Sequence, residues 1–141
     1  MEYRVRIITT KRGYDHLIKG LRTSFKSEKI IEELINKDTC EFYGKNVVFI
    51  KWDNPPYHKI IQTVIMILTG YRNAYRICVK EDNMVYMYSD EAMPRQHIDI
   101  PMPVMNCEFD DEETIKKLNK FKNNRKNRRW YKWDIDQILE L

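Results

Sequence analysis

The chain has 141 residues, 43% of them hydrophobic and only nine of them Gly or Pro. That suits one folded domain and excludes a disordered tail. The formal net charge is +4, yet nine of the 25 Lys and Arg residues fall within 116–132, and without those nine charges the balance becomes −5. The basic character is therefore local.

Residues 3–10 alternate Tyr3, Val5, Ile7 with Arg4, Arg6, Ile8, which predicts a strand with one buried face. Lys11, Arg12 and Gly13 read as a turn. Over 14–25 the spacing of Tyr14, Leu17, Ile18, Leu21 and Phe25 favours a helix, with a hairpin returning from Gly13 as the alternative, and Gly20 weakens either. Ser27 is placed to cap a helix carrying Ile30, Ile31, Leu34 and Ile35. A short strand at 41–43 and a longer one at 46–52 flank Gly44. Asn54 is positioned to cap a helix whose first turn holds Pro55 and Pro56. Tyr57, Ile60, Ile61, Val64, Ile65 and Leu68 give that helix its stripe, and Gly70 is the expected stop. Because Met66 and Ile67 are also apolar, its second half is expected to be nearly surrounded.

Residues 75–79 and 84–88 form a hairpin pattern joined by 80–83. The stretch 94–109 holds three prolines and is expected to run extended, with at most a short edge strand. Asp110 and Glu113 have capping-box spacing at the start of a helix with Ile115 and Leu118 inside, continued at most to Phe121. A last short helix can start at Asp134. The expected fold is α+β: a mainly antiparallel sheet with helices packed on it, approximating a split βαβ arrangement. Residues 1–109 are expected to form the core domain, and 110–141 a basic helical segment docked on it.

Catalytic and cofactor signatures are missing from the sequence. Cys40, Cys78 and Cys107 have no CxxC spacing and read as buried reduced thiols. His16, His58 and His97 form no metal-binding pair, and the four glycines are too dispersed for a phosphate loop. No nucleophile sits in a recognisable elbow, although Asp53, Asp90 and Glu91 could converge in space with His58, His97 or Cys78. No cofactor or metal is expected, and a binding protein is favoured over an enzyme. Tyr75, Tyr86 and Tyr88 share one hairpin, where cross-strand aromatic packing is favoured over a base-stacking face. The N-terminus, MEYRVRII, opens on an acid and alternates in polarity, unlike a signal peptide, and the apolar run 64–68 is too short to span a bilayer. A cytoplasmic protein without a membrane partner is expected.

The run KKLNKFKNNRKNRRWYKW remains. Its second half has no apolar stripe and three asparagines, so helix formation does not account for it. Lys122, Arg125, Lys126, Arg128, Arg129 and Lys132 offer charge, and Trp130, Tyr131 and Trp133 offer stacking faces. These nine residues are the expected contact for an anionic partner. The expected function is a small non-enzymatic nucleic-acid-binding domain, for DNA or RNA. The alternatives are a protein–protein interaction module facing an acidic surface, such as a phage-type inhibitor of a host defence nuclease, or a protein that sequesters a small nucleotide. Abundant Lys, Ile and Asn with scarce Gly and Ala fit an AT-rich genome, such as a low-GC bacterium or its phages.

Overall fold

The computed structural model describes residues 2–43, 46–55, 60–90 and 105–108, together with Glu112 and Lys116. Along the chain these form β1 (Tyr3–Thr10), α1 (Lys11–Phe25), α2 (Glu28–Leu34), β2 (Cys40–Tyr43), β3 (Val47–Asp53), α3 (Ile60–Gly70), β4 (Tyr75–Glu81), β5 (Met84–Ser89) and β6 (Met105–Glu108). The strands make one sheet in the order β2-β3-β1-β4-β5-β6, with every neighbouring pair antiparallel. β1 and β2 both lie antiparallel to β3 and flank it, while β3 and β4 both flank β1. These are two interleaved split βαβ units, with β5 and β6 extending one edge. The expected α+β fold is observed, and β6 lies within the stretch expected to hold a short edge strand.

The registry puts Tyr3, Val5 and Ile7 on one sheet face with Val48, Ile50 and Trp52 of β3 and Tyr75, Ile77 and Val79 of β4. This face makes the main core with Leu17 and Leu21 of α1, Ile31 and Leu34 of α2, and the inner stripe of α3. The Trp52 indole N–H donates to the Leu34 carbonyl, tying α2 to β3. Tyr86 and Tyr88 pack at the margin of this core, opposite Val79 and Ile77. Their partners on β4 are thus aliphatic, Asn106 of β6 lies on the other side of Tyr86, and both tyrosines are partly buried.

The second face also carries buried side chains, contrary to the one-faced strand expected for β1. Ile8, Phe49, Cys78, Val85 and Met87 are buried there, and so are Arg6 and Arg76. Each arginine is held by an acid and by carbonyl groups. Arg6 Nη1 donates to the Val5 carbonyl at 3.0 Å, the Trp52 carbonyl at 3.3 Å and Asp53 at 3.0 Å. Arg76 Nη1 donates to the Tyr75 carbonyl at 3.0 Å and Asp90 at 3.1 Å. A buried guanidinium is tolerable only with such partners, because its desolvation is otherwise uncompensated.

Several local expectations are corrected. Residues 11–13 are the first turn of α1 rather than a free turn: Thr10 is the N-cap, and its hydroxyl accepts from the Gly13 amide at 2.9 Å. The helix alternative for 14–25 is the one observed. Gly20 fits because α3 passes close; a Cβ there would lie 2.6 Å from the Ile67 side chain. Ser27 does cap α2, whereas Ile35 ends it as the C-cap. Asn54 adopts φ 47° and pairs with β1, accepting from the Tyr3 amide at 3.0 Å while its own amide donates back to Tyr3. Pro55, expected in the first turn of a helix, is not helical, so Asn54 does not directly precede one. Asp82 in the β4–β5 turn holds Glu2 in the same reciprocal way. The second half of α3 is one-sided rather than surrounded, since Met66 is exposed. Gly70 is the last residue of α3, and the left-handed position falls on Arg72.

Glu112 and Lys116 are helical, inside the helix expected after Asp110. The capping-box pair Asp110 and Glu113, the expected final helix and the division at 109/110 lie outside the described residues. Among the described residues no helix is long and apolar enough to cross a membrane.

Candidate anion-binding site

The nine residues singled out from sequence, Lys122 to Trp133, all lie outside the described residues. The described part of the chain carries a separate cationic feature. Antiparallel pairing places Thr10 opposite Val47 and Thr9 opposite Tyr75. The end of β1, the beginning of β3 and the beginning of β4 therefore meet at one end of the sheet. The loops and helix start attached to these ends border an open pocket of about 430 Å³. Thr10, Lys11 and Arg12 line it from the start of α1, Asn46 from the start of β3, and Arg72 to Ala74 from the α3–β4 turn.

Two contacts fix this corner. The Thr9 hydroxyl, fully buried, donates to the Ala74 carbonyl at 2.8 Å. The Lys11 amide donates to the Asn46 carbonyl at 2.9 Å. Gly13 lets α1 approach this node, because a Cβ there would fall 2.3 Å from Thr9 Oγ1. Here glycine is required by proximity and not by an unusual backbone angle.

Among the described residues the lining holds three cations and no acid. Lys11 pairs with Asp15 at 2.9 Å and lies over the Tyr14 and Phe42 rings, 5.1 Å and 5.6 Å from their centroids. Arg12 and Arg72 are exposed, and among the described residues their guanidinium groups have no partner. Asn73 is only 5% exposed, with its side-chain nitrogen 3.0 Å from His16 Nδ1. The other end of that amide has no partner among the described residues. His16 in turn stacks on Tyr71, with ring centroids 4.2 Å apart and planes 16° apart. Of the three histidines, His16 is thus a structural hydrogen-bonding residue; His58 and His97 lie outside the described residues.

Of the acids considered for catalysis, Asp53 and Asp90 do not converge, and Glu91 lies outside the described residues. Asp53 faces Arg4 across β1 and β3, whereas Asp90 accepts from the Tyr75 amide, opposite Thr9. Five residues of β1 separate them, about 17 Å at strand spacing. Each is engaged by a buried arginine, and Cys78 is fully buried. Cys40 and Cys78 are free thiols, and burial raises the Cys40 pKa above its usual value. A smaller cavity of about 250 Å³ lies beside Trp52, with Glu33 and Asp53 in its wall. Among the described residues no cluster of His, Cys, Asp and Glu could hold a metal ion.

No local pattern marks the pocket, because Arg12 and Arg72 are sixty residues apart. The available signals were a threonine ending a strand before two cations, and an Arg-Asn pair just beyond a helix stop. No family model, no curated protein and no solved structure matches the chain.

Proposed function

We propose that this chain is a small, non-enzymatic nucleic-acid-binding protein that contacts phosphates through its basic, aromatic C-terminal tract. The observation that carries this reading is the tract itself: nine cations and no acid over 116–132, ending on Trp130, Tyr131 and Trp133. Arginine grips phosphate oxygens bidentately, and indole or phenol rings beside it accept stacked bases. The pocket lined by Lys11, Arg12 and Arg72, with no acid among the described residues of its lining, supports the same reading by adding a second cationic surface. The packing of the sheet bears on the mode of contact. Tyr75 is buried and Tyr86 and Tyr88 pack partly buried against the core, which favours a ligand at loops and termini over an open stacking sheet.

The test is binding of fluorescent single- and double-stranded oligonucleotides by the full chain and by an Arg125→Glu, Arg128→Glu, Arg129→Glu variant. The variant should lose most of the affinity; unchanged binding would overturn the proposal. A nuclease-treated pull-down separates the protein-partner alternative, since a partner retained after nuclease treatment would favour an interaction module. Mass spectrometry of ligands released from the purified protein addresses nucleotide sequestration.

A further inference from the structure

We propose that the second sheet face is an intramolecular docking surface, and that its occupant over β4 and β5 is the helix containing Glu112 and Lys116, seated through Leu118 and Phe121 with Ile115 at the margin. The proposal concerns how the C-terminal tract is anchored, and it stands apart from the nucleic-acid reading above.

The starting observation is a cover that α1, α2 and α3 do not account for. These three helices bury their apolar residues in the core on the first face. Yet Cys78, Val85 and Met87 are buried on the second face, together with Ile8 and Phe49. This burial is reached within a single chain, so the cover comes from elsewhere in that chain.

The chain after β6 is placed to supply it. Three residues separate the end of β6 at Glu108 from the helical Glu112, so the helix starts within about 14 Å of the sheet edge. Glu112 and Lys116 are both exposed and lie four residues apart, on one side of the helix. Helical spacing puts Leu118 and Phe121 on the opposite side and Ile115 on the flank. Burial decides which sheet face this stripe takes. On the first face β5 presents Tyr86 and Tyr88, which stay partly exposed, whereas on the second it presents Val85 and Met87, which do not.

Charge and length agree. Arg4, Lys80 and Val85 share one row of the registry, beside the end at which β6 finishes. There Arg4, Arg6 and Lys80 meet Glu2 and Asp53, three cations to two acids among the described residues. The helix opens on Asp110, Asp111, Glu112 and Glu113, which complement that row. A helix over 110–121 is about 18 Å long, and Val85 to Ser89 spans about 13 Å of strand. Running back against β6, it brings the start of the basic tract to the end of the sheet that carries Thr10, because Ser89, Arg76 and Ile8 form the row just before it. The stretch 91–104 is the other long segment near this face. It leaves β5 beyond Ser89 and returns at Met105, opposite Met87, so the Val85 row is the part farthest from both its ends.

The first experiment is methyl NMR on the wild-type full chain. Nuclear Overhauser contacts should join Ile115 to Val85 and Leu118 to Met87. Contacts from Val85 and Met87 only to Ile98, Ile100 or Val104 would overturn the proposal by naming the other segment, and contacts seen only between differently labelled copies would overturn it by naming a second chain. The second experiment labels thiols with N-ethylmaleimide and reads each site by mass spectrometry. Cys78 lies under the proposed helix, whereas Cys40 belongs to the first-face core and reports on the whole fold. Leu118→Ser should speed labelling of Cys78 about tenfold by easing local opening, and leave Cys40 unchanged. An unchanged Cys78 rate would overturn the proposal. If Cys40 rises equally, the fold has loosened as a whole, and the milder Leu118→Ala must then raise Cys78 above Cys40; equal rates there would overturn it too.

Discussion

Gly13→Ala tests whether the pocket corner is built as described. An alanine Cβ would lie 2.3 Å from Thr9 Oγ1, 3.3 Å from Thr10 Oγ1 and 3.4 Å from Asn73 Cβ. Thr9 is fully buried and its hydroxyl is bonded to the Ala74 carbonyl, so it cannot rotate away without losing that bond. Overpacking or an unsatisfied buried hydroxyl costs about 1–3 kcal/mol. Alanine in place of a helical glycine returns about 1 kcal/mol. The net expectation is a loss of up to about 2 kcal/mol by urea denaturation followed by circular dichroism, with an unchanged m-value. In a Thr9→Ala background the clashing oxygen is gone. There the same substitution should be neutral or stabilising by up to about 1 kcal/mol, a clear non-additivity. If Gly13→Ala has the same effect in both backgrounds, within about 0.3 kcal/mol, α1 does not approach β1 as described.

Gly20→Ala should likewise destabilise by about 1 kcal/mol through overpacking, and Ile67→Ala should relieve it in a double-mutant cycle. Asp90→Ala removes the acid facing the buried Arg76 and an acceptor of the Tyr75 amide, and should cost about 3 kcal/mol in chemical denaturation; Asp90→Asn, which keeps an acceptor, should cost less. Burial pushes the Tyr75 pKa up to about 12, with the Thr69 hydrogen bond opposing the shift and the Asp90 charge adding to it. Unfolded, a tyrosine ionises near 10. The raised folded value means that the contribution of neutral Tyr75 is complete below pH 10 and is lost as the pH rises towards 12. Stability measured against pH should therefore decline over that window, and the decline should shrink in Tyr75→Phe.

The α+β class and most element positions were legible because alternation in β1 and β4 and the four-residue spacing in α3 are local signals. Contacts between distant segments were not. Arg6 and Arg76 alternate with apolar residues, as solvent-facing positions do, and only the sheet registry shows them buried beside Asp53 and Asp90. Gly13 and Gly20 read locally as helix weakeners. Their value lies in Thr9 and Ile67, which approach them only in the folded chain. Asn54 carries a helix-capping signature, yet the sheet recruits it, because its left-handed backbone lets both its amide and its side chain meet Tyr3. The pocket depends on three strand ends meeting, a consequence of the split βαβ topology that no spacing along the chain records.

The salt dependence of oligonucleotide binding by the full chain tests the central claim most directly. If about five cations of the C-terminal tract meet phosphates, log K should fall against log salt with a slope near −4, and the Arg125, Arg128, Arg129 charge reversal should flatten it. A slope indistinguishable from zero, or one that survives the reversal unchanged, would contradict the account.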